Sequence, residues 1–201
     1  MLNTDTRSGR DFGRECGMAE KEKWSERLLE ELRFEEGRIL VRDERFFLGH
    51  KFMLEFMHST FEGIMGPATK AMLYHYGEDV GYYLAKGFSE KWNLEKRDLV
   101  GFMLKALTIW GFGRFSDAVY DPERRLLKAA VRGSVEVSSL SKGERPSCYF
   151  MAGLFGGLGK FLFEEEVICR EKICEATGDA ACEFEVEPIK VASLRKSHLW
   201  L

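Results

Sequence analysis

The period of the hydrophobic pattern changes along this chain, and that change constrains its fold more than any other feature. Up to about residue 110, apolar side chains recur at three- and four-residue spacings, the repeat of helices. Beyond it they alternate. Phe115, Asp117 and Val119, then Leu127, Ala129 and Val131, flank Asp121-Pro122 and read as a hairpin. One further helical segment, Cys148 to Phe163, precedes two strands, Glu165 to Cys174 and Ala181 to Pro188, set around Gly178-Asp179. In the last strand Cys182, Phe184 and Val186 face inward while Glu183, Glu185 and Glu187 face water. The order is three helices, hairpin, helix, hairpin. Segregation of this kind predicts an α+β domain, a twisted antiparallel sheet of about four strands packed against helices.

The helical half divides at its glycines and prolines. Residues 1–19 are polar and without period, which predicts a disordered tail, and Met18 is an alternative start to Met1. Trp24, Leu28 and Leu32 at four-residue spacing predict an N-terminal amphipathic helix over 20–36, ended by Gly37. From Phe46 to Met65 the polar residues Lys51, Glu55, His58, Ser59 and Glu62 form one narrow face, so that helix is expected to be buried on most of its circumference. Gly66-Pro67 breaks it. The next helix, Ala68 to about Phe88, carries Gly77, Gly81 and Ala85 at four-residue spacing. Each helical glycine costs ~1 kcal/mol relative to alanine, so the stripe implies close approach of another backbone. A third helix runs from about Leu94 to Trp110, a polar connection spans Ser138 to Pro146, and residues 191–201 form a C-terminal tail.

Composition removes several function classes. The 201 residues suit a single domain with appendages, and 45% hydrophobic with 31% charged residues is ordinary for a globular chain. Lys+Arg 30 against Asp+Glu 33 leaves a net charge of -3, without the cationic surplus by which nucleic-acid binders neutralise phosphate. The uncharged run Cys148 to Gly159 is too short for a membrane span, which needs ~20 residues. Asp5, Arg7, Arg10, Asp11, Arg14 and Glu15 interrupt any signal-peptide centre, so a cytoplasmic location is expected.

Few motifs carry chemistry. Gly153 to Lys160 invites a phosphate-loop reading, but Leu154 stands where that motif needs its first glycine and Phe161 where it needs Ser or Thr. Close helix packing accounts better for these glycines. His75, with Glu78 and Asp79 at i+3 and i+4, reads as a solvated helix face, and His50, His58 and His198 as surface residues. The cysteines (Cys16, Cys148, Cys169, Cys174, Cys182) say more. Cys174 and Cys182 are symmetric about Gly178, and Cys148 opens a helix, where the dipole is expected to lower its pKa. Three thiols with Glu171 nearby suit zinc, although a cysteine is often only a small buried apolar residue. Phe (16) outnumbers Tyr and Trp together (6 and 4), which suits a dry core or an apolar pocket. Phe52, Phe56, Met57, Trp110, Phe112 and Phe150 are the candidate lining of a cavity for a hydrophobic small molecule.

The segment from Pro146-Ser-Cys148 through Glu171-Lys-Ile-Cys174 and Gly178-Asp179 to Cys182-Glu-Phe184 resembles the signature of the 4-vinyl reductase domain family. Phe47-Leu-Gly49 and Tyr76-Gly77-Glu-Asp-Val-Gly81 are similar to that family's N-terminal half, so the likeness covers residues 37–190. It implies a small-molecule-binding domain related in fold to subunits of the TRAPP trafficking complex. It also implies a zinc site of one Cys followed by Glu-x-x-Cys-x7-Cys, here Cys148, Glu171, Cys174 and Cys182. The His/Trp pair by which phenol-sensing members hold their ligand has no counterpart, so phenol specificity is not implied.

Three thiolates and one carboxylate close a tetrahedral zinc to substrate, which predicts a structural clamp, with Arg145, Arg170 and Lys172 as charge compensators. Three functions follow. The first is a non-enzymatic, zinc-containing binding or sensing domain for a hydrophobic or aromatic molecule. The second, implied by the family's name, is a reductase or accessory factor acting on tetrapyrrole vinyl groups. The third is a TRAPP-like interaction module, a homodimer formed through the Gly77/Gly81/Ala85 stripe and the Trp24 helix.

Overall fold

The computed structural model describes residues 27–46, 49–137 and 146–189. The predicted tails, Trp24 and Met18, the connection from 138 to 145, Cys16 and His198 lie outside them.

The N-terminal segment departs from its predicted helix. Residues 27–30 are helical, but Leu32–Glu35 is a strand, β1, which pairs antiparallel with β2 (Arg38–Val41), itself paired with β3 (Glu44–Phe46). The reason lies in the turn. Glu36 and Gly37 both take positive φ (48° and 76°), the two-residue geometry that closes a hairpin and brings Glu35 opposite Arg38. The meander docks on the end of a long helix through Arg42. Its guanidinium lies 4.6 Å from the Trp92 ring and donates to the Lys91 carbonyl, and Lys91 in turn pairs with Asp43 and Glu44.

Helix α1 spans Phe52–Met65, shorter than predicted because Phe46 ends β3. It is not buried on most of its circumference. His58 is its one buried residue, while Phe52, Phe56 and Ile64 are 49%, 66% and 76% exposed. The polar face, expected to look outward, turns His58 inward.

A 3-10 turn, Gly66–Ala68, starts α2 (Thr69–Trp92), and α3 (Lys96–Ile109) follows. Strands β4 (Arg114–Asp121) and β5 (Leu126–Arg132) form the hairpin predicted around Asp121-Pro122. After α4 (Tyr149–Phe163), β6 (Val167–Ile173) and β7 (Cys182–Pro188) complete a four-stranded sheet in the order β4-β5-β7-β6, with every neighbouring pair antiparallel. Cys182, Phe184 and Val186 point into the core as predicted. The architecture is α+β.

The predicted small-residue stripe is filled by α4 of the same chain. A Cβ on Gly77 would lie 2.1 Å from the Phe150 carbonyl oxygen, and one on Gly81 2.0 Å from that of Leu154. The glycines of α4 answer in kind, since Gly153 meets the Tyr74 carbonyl at 1.9 Å and Gly157 that of Glu78 at 2.0 Å. Contact positions rise together along both helices, so α2 and α4 run parallel, backbone against backbone. The stripe therefore is not a dimer surface. Gly156 admits the Tyr74 ring, whose hydroxyl accepts the Cys169 N–H at 2.9 Å and ties α2 to β6 through α4.

Candidate metal centre

Three segments far apart in sequence converge at the first turn of α4. Cys148 supplies its N-cap, Glu171 and Cys174 come from the end of β6 and its exit, and Cys182 opens β7. Their four ligand atoms lie within 4.8 Å of one another. The thiols form a nearly equilateral triangle, with Sγ–Sγ separations of 3.8, 3.9 and 3.8 Å. A disulfide, at ~2.05 Å, is excluded at these distances. A tetrahedral ion ~2.3 Å from each sulfur has sulfur–sulfur edges of ~3.8 Å, so the triangle already has the dimensions of one face of such a site.

The carboxylate supplies an independent test of fit. Glu171 Oε2 accepts the Cys148 N–H at 2.9 Å, whereas Oε1 is buried without a hydrogen-bond partner. A buried carboxylate oxygen carries negative charge, and leaving it unpaired is costly. A cation among the three sulfurs would satisfy it. These residues fit a metal ion.

The thiols' acidities give the same answer. The Cys182 thiol, burial and the carboxylates of Glu136 and Glu171 push Cys148 far above the ordinary thiol value of 9.0. This reverses the expectation of a dipole-lowered pKa. The α4 N–H groups that would favour a thiolate are already taken by carboxylates, because Glu136 accepts from Phe150 and Met151 at 3.0 Å each and Glu171 from Cys148. Burial, then the Glu171 carboxyl, raises Cys174 to about 12. Deprotonated thiols here require a positive charge, and the predicted compensators do not provide it. Arg170 pairs with Glu187 and Lys172 with Glu185, both on the sheet. Arg145 lies outside the described residues.

The surrounding loops are held by further carboxylates. Glu175 accepts from Gly133 and Ser134 at 2.9 and 3.2 Å, binding the β6–β7 connection to the end of β5, and its own N–H donates to Cys182 Sγ at 3.4 Å. Asp179 accepts from Cys174 and from the Thr177 hydroxyl. Cys169 is buried but outside the group.

Sequence reasoning missed Glu136 and His58. Glu136 is fully buried, and His58 Nε2, expected at the surface, lies buried 3.1 Å from Glu136 Oε1 but out of hydrogen-bonding alignment. A glutamate between Val135 and Val137 gives no local sign that it will cap a helix fourteen residues away. His75, by contrast, sits on an exposed face 3.3 Å from Glu78, as predicted.

The six candidate pocket residues fall into separate places. Phe150 is buried, with Phe112 stacked 6.2 Å away and Tyr76 at 5.7 Å. Trp110 packs instead on Phe46 and Phe88. Phe52 and Phe56 pair at 6.1 Å on the exposed side of α1, with Met57 half-buried nearby. An open groove of about 460 Å³ lies at the opposite end of α4, between Tyr82, Phe161 and Glu164 to Glu166. Its acids are paired with Lys96, Arg125 and Lys160. Among the described residues no helix is long and apolar enough to cross a membrane.

Comparison with known proteins follows the same lines. The phenol-responsive sensory domain of the transcription activator PoxR, solved with phenol, superposes with a TM-score of 0.73 at 17% identity, covering 90% of this chain and 96% of that one. A trafficking protein particle complex subunit 3 from Naegleria fowleri, covalently bound to palmitic acid, gives 0.50 at 16% identity over 70% and 98%. At these identities the likeness is one of fold. An uncharacterized protein of Methanocaldococcus jannaschii is 45% identical over 47 residues, which is 23% of this chain and 26% of that relative's length. The 4-vinyl reductase domain family matches residues 127–188, a stretch that contains Cys148, Glu171, Cys174 and Cys182. Residues 127–188 are a 4-vinyl reductase domain, and through it this chain, with its TRAPP-subunit-like fold, belongs to that family.

Proposed function

We propose that this protein is a zinc-stapled domain that binds a hydrophobic or aromatic small molecule and acts as a sensor, without catalysis of its own. The observation that carries the reading is the thiol triangle with edges of 3.8 to 3.9 Å closed by the unpartnered Oε1 of Glu171. Sulfur-rich tetrahedral coordination of that size selects zinc among the abundant divalent ions, and four protein ligands leave no position for substrate. The ion would fasten the start of α4 to β6 and β7.

The ligand half of the reading rests on position. Phe150, stacked with Phe112 and beside Tyr76, is two residues from Cys148 on the same helical turn. A molecule pressed against those rings bears directly on the turn that carries the metal. The fold shared with a sensory domain solved with phenol supports the class of ligand, an apolar or aromatic molecule. Unpaired thiols 3.8 Å apart persist in reducing surroundings, so we place the protein in the cytoplasm.

Native mass spectrometry of protein purified from its own host tests both halves. One zinc per chain is expected, and Cys174→Ser should lose it; undiminished zinc in that variant would falsify the assignment. A co-purifying apolar molecule, lost on Phe150→Ala with zinc retained, supports the sensor reading. Identical small-molecule content in the wild type and Phe150→Ala sinks the pocket while leaving the metal standing.

A further inference from the structure

We infer that the outward face of α1 is the surface on which a second copy of this chain docks, with the two α1 helices antiparallel. The inference is independent of the metal and of the ligand.

Three features of α1 lead there. The first is where its apolar residues point. Of the ten large apolar side chains exposed among the described residues, five (Phe52, Met53, Phe56, Ile64, Met65) belong to this helix. A helix that is apolar on nearly every side is ordinarily buried. The second is that its orientation is fixed. His58 is 8% exposed and faces fully buried Glu136, whose carboxylate is in turn held by two α4 N–H groups. At ~100° per residue, the side opposite His58 is formed by Phe52, Met53, Phe56, Thr60, Gly63 and Ile64. The apolar face is therefore turned out by a specific internal contact.

The third is Gly63. The glycines of α2 and α4 discussed above are each explained by a backbone that a Cβ would strike, but a Cβ on Gly63 meets nothing within 4 Å. A mid-helix glycine costs ~1 kcal/mol, and nothing in its own chain offsets it. With Thr60 it makes a shallow centre flanked by larger apolar side chains.

The shape of this face selects its occupant. A two-fold axis through Thr60 places Phe56 of each protomer against Ile64 of the partner subunit, so the surface is complementary to itself, as an isologous contact requires. From their exposed fractions, the five side chains offer on the order of 500 Å² per copy, at the top of what a monomer usually leaves in one patch. Two copies together reach the ~1,000 Å² at which specific association begins. An anionic membrane is disfavoured, because residues 52–65 contain no Lys or Arg and carry Glu55 and Glu62.

Sedimentation velocity on the full chain, over a wide concentration range, tests the assignment. The wild type should be a dimer. Met53→Glu/Ile64→Glu should weaken association at least ~30-fold while zinc content and circular dichroism stay as in the wild type. A second arm does not depend on that variant folding: Thr60→Cys, on the axis, should cross-link to a disulfide dimer under mild oxidation, whereas Glu90→Cys, on the exposed side of α2, should not. A wild type that is monomeric throughout, a Met53→Glu/Ile64→Glu protein that remains dimeric, an uncross-linked Thr60→Cys, or monomers that co-sediment with phosphatidylglycerol vesicles each overturn it.

Discussion

At the scale of single residues, the sulfur atoms determine the pH behaviour. Cys174 is raised from 9.0 to about 12 by burial and by the Glu171 carboxyl, and Cys148 is raised further. An unfolded thiol loses its proton near pH 9, while a folded thiol of raised pKa keeps it. The folded, metal-free protein therefore binds more protons than the unfolded chain above that pH, and its stability falls as pH rises through the window from 9.0 to about 12. A bound cation reverses the preference, because coordination needs thiolates. Thermal unfolding of chelator-treated protein from pH 7 to pH 11 should show the midpoint falling above pH 9, with no such fall attributable to thiols in the zinc-loaded form. Parallel profiles for the two forms would count against a thiol-bound metal. The four ligand residues were legible because Cys and Glu at those spacings have few other uses. The acidity of Cys148 was not, since it depends on Glu136 arriving from another part of the chain to occupy the N–H groups of α4.

Among the elements, those with a strong period and local punctuation were legible. The hairpin at Asp121-Pro122, the break at Gly66-Pro67 and the inward alternation of Cys182, Phe184 and Val186 emerged as read. Residues 32–46 did not, because four-residue spacing at Leu28 and Leu32 mimics a helix while the Glu36-Gly37 turn enforces a hairpin. Nor did the setting of α1, where a polar stripe is taken to face water unless a buried carboxylate such as Glu136 is known to await His58. The small stripe of α2 lies between these cases. Close approach was legible, its partner was not. It yields a paired prediction. Gly81→Ala and Gly157→Ala force a Cβ to about 2.0 Å from a main-chain carbonyl, which neither helix can yield without separating, and each should cost about 3 kcal/mol or more. Gly87→Ala, on the same helix as Gly81 but with nothing within 4 Å, should instead stabilise by up to ~1 kcal/mol. Urea denaturation of the three variants decides it. A neutral Gly157→Ala would mean that α2 and α4 are not held backbone to backbone.

For the molecule as a whole, the metal group joins what the core alone joins loosely. Helix α4 packs along α2 through glycines, and the β6–β7 connection is a polar loop with Thr177 to Ala180 exposed. Cys148, Cys174 and Cys182 are the points at which that loop, the sheet and α4 meet, across sequence separations of 26 and 34 residues. Closing such loops stabilises chiefly by restricting the unfolded chain and by the affinity of the ion itself. With free zinc at a thousandfold its Kd, linkage gives about 4 kcal/mol, which for a chain of this size moves the thermal midpoint by about 10 °C. Chelation should remove that increment, and hydrogen exchange should show where it resided. Protection is expected to fall at the first turn of α4, at residues 171–182 and at the end of β5 held by Glu175, while α3 and the middle of α2 keep theirs. Uniform loss of protection would instead make the metal a condition for folding of the entire domain, and no loss would leave the sulfur triangle as core packing alone.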